Sequence, residues 1–394
     1  MVTKTAWFDA VKESIAFGYN NDFRITSRTV HGTMTDAYAY DNDGLLTGTG
    51  AMTLSRNAQN GILTGTALGN VTDAYAYNQF GEMTGYTAKY AGVAIFNVQY
   101  QRDKLGRITE KTETVNGTTH TYGYSYNAAG YLTEVRTDGA VTGSYSYDAN
   151  GNRTSYSGIL GNAAGAFDAQ DRMLAYGGAT YAYSANGELS SKTDASGTTH
   201  YTYDVLGNLR QVVLPDGKNI EYVIDGQNRR IGKKVNGVLV RTYIWEDQLR
   251  IAAELDAAGN VVSRFVYGTK VNVPEYVVKS GATYRIITDH LGSPRLIVDA
   301  ATGSIVERID FDEYGEVLAD DNPQFIPFGF AGGLYDGETG LVRFGARDYD
   351  ARAGRWTRKD PILFKGDGVN LFVYAHNDPV NFYDQPEEIP LKQF

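Results

Sequence analysis

Along most of the chain, two aromatic residues stand one residue apart, followed by a short Asp- or Asn-containing turn, a glycine, and a run with Leu, Ile or Arg that often ends in Thr. The clearest copies are Tyr124-Ser-Tyr126-Asn-Ala-Ala-Gly130-Tyr-Leu-Thr133 and Tyr145-Ser-Tyr147-Asp-Ala-Asn-Gly151-Asn-Arg-Thr154. Others begin at Tyr38, Tyr75, Tyr181 and Tyr201, and looser ones at Phe17, Val98, Tyr222, Tyr243 and Phe265. Starting positions step by 21 from 124 to 145, by 20 from 181 to 201, and by 21, 21 and 22 through 222, 243 and 265. A register held over this length marks a repeat array.

Strand side chains alternate between faces, so both rings of Tyr-x-Tyr fall on one face. Asp or Asn followed three positions later by Gly supplies a side-chain cap and a residue tolerant of positive φ, as a hairpin loop requires. Each unit is therefore predicted to be a hairpin that buries its aromatic face only by stacking on neighbours, at about 0.2–1 kcal/mol per cross-strand pair. The expected fold class is all-β, a spiral of stacked antiparallel hairpins. Helical spacing occurs only at Trp7, Ala10, Val11 and Ser14, predicting a short helix over Trp7–Ile15 inside an N-terminal segment 1–16. Repeats are expected over 17–268, a distinct closing segment over 284–384, and a tail over 385–394.

Composition supports the array. Thirty Tyr and 45 Gly are spread through 394 residues, which fits one reused unit better than several unrelated domains. Hydrophobic content of 42% suffices for folding, and a net charge of −10 argues against a nucleic-acid partner. The absence of Cys removes disulfides, thiolate metal sites and cysteine nucleophiles. No apolar run is long enough to span a bilayer, and Met1 to Trp7 lacks a signal-peptide layout. A secreted or cell-surface location would thus rest on a route that needs no such signal, or on the chain being a fragment of something longer.

The C-terminal third adds ordered motifs: Asp289-His-Leu-Gly-Ser-Pro-Arg295, Phe311-Asp-Glu-Tyr-Gly-Glu316, Gly340-Leu-Val-Arg-Phe-Gly-Ala-Arg-Asp-Tyr-Asp350, Gly354-Arg-Trp356, Lys359-Asp-Pro361 and Asn370-Leu-Phe-Val-Tyr-Ala-His-Asn-Asp-Pro-Val-Asn-Phe382. With the Tyr-x-Tyr units in front, this set resembles the RHS/YD-repeat family and its core-associated domain, related to toxin-complex C components and teneurin YD shells. The resemblance covers roughly Phe17 to Asp384. It implies a hollow β-shell, or part of one, that encloses or presents a C-terminal toxin or effector in bacterial antagonism. The implied partners are that cargo and other shell segments.

The family's self-cleavage resembles aspartic-protease chemistry. Carried over residue by residue, it points to Arg347, Asp348 and Asp360, two carboxylates sharing a proton beside a guanidinium. The plain alternative makes both aspartates turn or salt-bridge residues, with Asp360 capping before Pro361. The chain departs from the family at Asp360-Pro361-Ile362-Leu363 and Asp384-Gln385-Pro386-Glu387, where the expected glycines are missing. A vestigial or weak site without productive cleavage is therefore expected. The five histidines stand apart with no pair at ligand spacing, so no metal and no cofactor is expected. The competing reading is an exported adhesion or carbohydrate-binding module, which requires outward-facing aromatics. An unpaired sheet edge would allow self-association.

Overall fold

The computed structural model describes residues 3–6, 14–365 and 369–384. Thirty-one strands, from Lys4–Ala6 to Val317–Asp320, form one sheet, and each pairs antiparallel with its neighbours in sequence. The all-β expectation holds. The helix expected over Trp7–Ile15 falls mainly on 7–13, which lie outside the described residues, as does the tail 385–394; Ser14 and Ile15 belong to the strand Ser14–Tyr19.

An antiparallel meander puts alternate turns on opposite edges of the strip. One edge carries most of the Asp/Asn-x-x-Gly loops, and the other carries mainly tight turns, with the loop Asp256-Ala-Ala-Gly259 among them. In the loop at Asp148, the Asp148 Oδ1 accepts the N–H groups of Asn150 and Asn152, both at 2.9 Å, while the Gly151 N–H donates to the Asp148 carbonyl. The same geometry recurs at Asp103, Asp204, Asp225 and Asp312. The ladder slips by one residue beside each such loop, as between Ser146 and Tyr147 or Thr202 and Tyr203. Such bulges increase local twist, and repeated on one edge they coil the strip. On the opposite edge Asn116-Gly117, Asp138-Gly139 and Asn236-Gly237 hold positive φ at both positions, the signature of a type I′ hairpin turn.

The two aromatics of a unit do different jobs. The first packs toward the core, buried at Tyr124, Tyr145, Tyr181, Tyr222 and Tyr243 and half-buried at Tyr38, Tyr75 and Tyr201. The second reaches back one hairpin: the hydroxyls of Tyr40, Tyr126, Tyr147 and Tyr267 donate to the carbonyls of Ile25, Ile108, Leu132 and Ile251, and the Trp245 indole donates to Arg230. Tyr147 also meets the Tyr314 hydroxyl at 2.6 Å. Tyr147→Phe should therefore cost about 1–2 kcal/mol, read as a lowered urea midpoint at unchanged slope.

The strip winds until distant strands meet face to face. Buried Arg28 donates to Asp36 at 2.7 Å and to Glu246 at 2.8 Å. Arg285 bridges Asp73 and Glu275, and Arg295 holds Glu113 through both terminal nitrogens at 2.7 and 2.9 Å. Tyr90 and Thr49 add bonds to the carbonyls of Ala301 and Tyr267. Across the loop 267–275 the strands Val261–Val266 and Tyr276–Lys279 pair, and the long sheet continues to Asp320. A four-stranded sheet (Leu334–Asp336, Leu341–Phe344, Arg347–Asp350 and Arg355–Trp356) then builds the closing segment.

Candidate functional site

Alternation along the strands of that small sheet sorts its residues into two faces. On one, Phe344, Tyr349 and Trp356 pack with Phe330 and Tyr374 into an aromatic core, with Tyr349 and Tyr374 centroids 4.3 Å apart. On the other, Arg343, Asp348 and Arg355 face the loop edge of the strip. Arg343 and Asp348 are directly opposed across neighbouring strands.

The charged face grips that edge. The Asp348 carboxylate accepts from Arg230 at 2.8 Å on Oδ1 and from Arg343 at 2.8 Å on Oδ2, with all three side chains buried. Arg343 also reaches Asn208 Oδ1 and the Asn228 carbonyl, Arg355 the Asp171 carbonyl, and Arg358 the Leu206 carbonyl. Asn377 donates to the Gly151 carbonyl at 2.8 Å and Asn370 to Asn152 at 2.7 Å. Lys233 lies 2.7 Å from Asp336, whose carboxyl burial would raise; the lysine and the Tyr222 hydroxyl hold it below the ordinary range. The closing segment is thus seated among successive repeat loops through their carbonyls and caps.

The expected pair Asp348 and Asp360 is not brought together. Arg347 and Asp348 are adjacent in a strand and point to opposite faces. Arg347 stacks over the Trp356 ring at 4.0 Å and reaches Asp360 Oδ2 at 3.0 Å, with Asp384 Oδ2 at 3.9 Å. Asp384 in turn accepts the Trp356 indole N–H at 2.9 Å and the Ala375 N–H at 3.0 Å. Burial pushes its carboxyl up, and Arg347 opposes that. Asp360 Oδ1 caps the Ile362 N–H at 2.9 Å, the turn role that the plain alternative assigns it. Arg347 therefore lies between Asp360 and Asp384, while Asp348 belongs to the ion cluster on the far side. Beside Asp384, Ala375, His376 and Asn377 take φ of 45°, 52° and 58°, a strained run for residues with a Cβ.

Sequence reasoning did not find the buried arginines Arg28, Arg230, Arg285, Arg295 and Arg343, because a charged residue in a strand reads as surface. Their signal was a polar residue at a position whose alternation predicts burial. Among the described residues, no group of three or more His, Asp and Glu is placed to hold a metal ion, and no helix is long and apolar enough to cross a membrane.

A family model described as Teneurin YD-shell matches residues 1–384. Human Teneurin-4 is 29% identical over 387 residues, covering 93% of this chain and 14% of that protein. The tRNA3(Ser)-specific nuclease WapA of Bacillus spizizenii is 27% identical over 289 residues, covering 72% of this chain and 10% of that protein. The crystal structure of TcdB2-TccC3-TEV superposes with a TM-score of 0.76 at 17% identity, covering 95% of this chain and 21% of that one. The chain thus spans a small part of the length of the relatives it matches, and the structural likeness concerns the fold.

Proposed function

Because this chain belongs to the Teneurin YD-shell family, we propose that it works as structural wall and closing end of a shell that encloses or presents an effector polypeptide. The observation that carries this reading is the seating of the closing segment on the repeat loops through Asp348, Arg230 and Arg343. A buried ion cluster of this kind is better suited to specifying one docking position than to adding net stability. A wall that fixes its own end in this way is suited to containment. A relative that is a nuclease, WapA, fits an effector as the contained partner. Cargo of domain size would need a wall longer than this chain, since the cavities beside its tyrosine-bearing strands measure about 290 and 510 Å³, a small fraction of a domain's volume. Export to the cell surface or beyond belongs to the same proposal.

The test is trypsin digestion of the protein expressed from its whole gene. The proposal expects a second polypeptide that survives in buffer and is digested once urea unfolds the shell. A companion polypeptide cut equally fast in both, or none at all, overturns containment. The adhesion alternative needs outward-facing aromatics, and the first tyrosines of several units, such as Tyr145 and Tyr222, are buried instead.

Self-cleavage at Arg347, Asp348 and Asp360 is proposed to be unproductive, since each carboxylate has its own donors. Intact mass should give one species at 43.2 kDa. A clipped C-terminal peptide that disappears in Asp348→Asn would overturn this.

A further inference from the structure

Between the tyrosine face of the strip and its returning strands lies a cavity of about 290 Å³. Its mouth is formed by exposed residues, Ile159 and Leu318 among them, so solvent and small molecules have a way in. One lining group stands out. Glu313 occupies the second position of the loop Asp312-Glu313-Tyr314-Gly315, the position that in other loops carries solvent-facing side chains such as Lys104, Ala149 and Val205. Here the loop is folded inward and the carboxylate lines the cavity.

The charges around it decide what could join it. Arg295 is committed to Glu113 and Asp310, Arg308 to Asp310, and His120 to Asp138. Asp312 and Asp289 spend Oδ1 on the N–H groups of their own loops. Glu313 makes no ion pair among the described residues; its side-chain partner is the Tyr145 hydroxyl at 3.4 Å. His290 spends Nε2 on the Val380 carbonyl and leaves Nδ1 bare; the two lining arginines are paired with carboxylates while Glu313 is not, so the cavity favours a positive guest over an anion. The walls agree: the rings of Tyr122, Tyr124 and Tyr156 line the same space, and aromatic faces attract ammonium groups. The chain supplies its own example, since the Lys111 ammonium lies 4.2 Å from the Tyr122 ring centroid.

We propose that this cavity binds a small organic ammonium ion, its charge facing Glu313 and its alkyl part lying against Tyr122, Tyr124 and Tyr156. Burial pushes the Glu313 carboxyl up, so a cation arriving beside it relieves an unpaired buried charge. Lys111 holds part of the same wall and competes with the guest.

The test is calorimetric titration of the intact protein at pH 8 with n-butylammonium chloride, and with n-butanol as the neutral match. The expected result is saturable binding of the amine with butanol at least tenfold weaker. Glu313→Gln should lose tenfold or more, while Lys111→Met should bind the amine more tightly, a gain that misfolding cannot imitate. Nα-acetyl-lysine methylamide in a further arm separates a lysine side chain of a polypeptide, which would match butylammonium, from a free amine, which would bind alone. No saturable binding, equal binding of butanol, or unchanged affinity in Lys111→Met overturns the proposal, whichever way the effector test falls.

Discussion

Replacing Asp348 by Ala is expected to lower the unfolding free energy by about 3–5 kcal/mol. The carboxylate is the shared acceptor of two guanidiniums, Arg230 on the repeat strip and Arg343 on the closing segment, both at 2.8 Å. Removing it leaves two buried positive charges facing each other with no counter-ion, which costs far more than the original cluster contributes. The backbone carbonyl of Asp348 also accepts from the Thr357 N–H and hydroxyl, but alanine keeps that acceptor. The loss therefore reports the carboxylate alone. Equilibrium urea unfolding measures it, and a loss under 1 kcal/mol would mean that the cluster is solvated in solution.

The second large effect is an inverted pH dependence. Burial raises Glu307 to about 8, Asp312 to about 7, Glu316 to about 7 and Asp378 to about 6. Neighbouring carboxylates add to it: Asp320 and Asp321 beside Glu307, Glu313 beside Asp312, and Asp350 beside Glu316, against the weaker pull of Lys279, Arg153 and Arg352. In the unfolded chain these groups release their protons near pH 4. Between there and pH 8 the folded protein holds protons that the unfolded chain has lost, so stability falls as pH rises. Below about pH 4 both states hold them and the contribution is complete. Carboxylates held low, such as Glu113 and Asp336, act in the opposite sense and lose their stabilisation only in that more acidic range. Each tenfold difference in proton affinity is worth about 1.4 kcal/mol, so Glu307 and Asp312 together should remove on the order of several kcal/mol by pH 8. Thermal midpoints across pH 4–9 should peak near pH 5 and decline toward pH 8. Glu307→Gln should flatten that decline. A flat profile from pH 5 to 8 would contradict the burial of these acids.

The repeats were legible because their physics is local. Tyr145-Ser-Tyr147-Asp-Ala-Asn-Gly151 contains its own strand alternation, its Asx cap and its positive-φ glycine, and the structure uses each as expected. The tight turns on the far edge, such as Asn116-Gly117, also carry a local signal. What alternation could not supply was the meeting of residues far apart in sequence. Arg28 with Glu246, Asp73 with Arg285, and Arg230 with Asp348 depend on the accumulated coil of many strands, which no single repeat encodes. For the same reason the pairing of Asp348 with Asp360, implied by the family resemblance, is not legible locally: Asp348 sits with Arg230 and Arg343, and Asp360 with Arg347. Period-two alternation places Arg347 and Asp348 on opposite faces, and that part could be read from the strand pattern alone.

The closing segment is seated specifically on the loop edge of the strip. Hydrogen–deuterium exchange on the intact protein, comparing wild type with Arg343→Ala, tests it most directly. Arg343 ties Asp348 to Asn208 and to the Asn228 carbonyl, so its loss should unseat the segment. Uptake is predicted to rise in the loops 148–152, 204–208 and 225–229 and in 341–358, while the tight turns 116–117, 138–139 and 236–237 on the opposite edge stay at wild-type exchange. A uniform rise across both edges, or no rise in the loops, would contradict the claim.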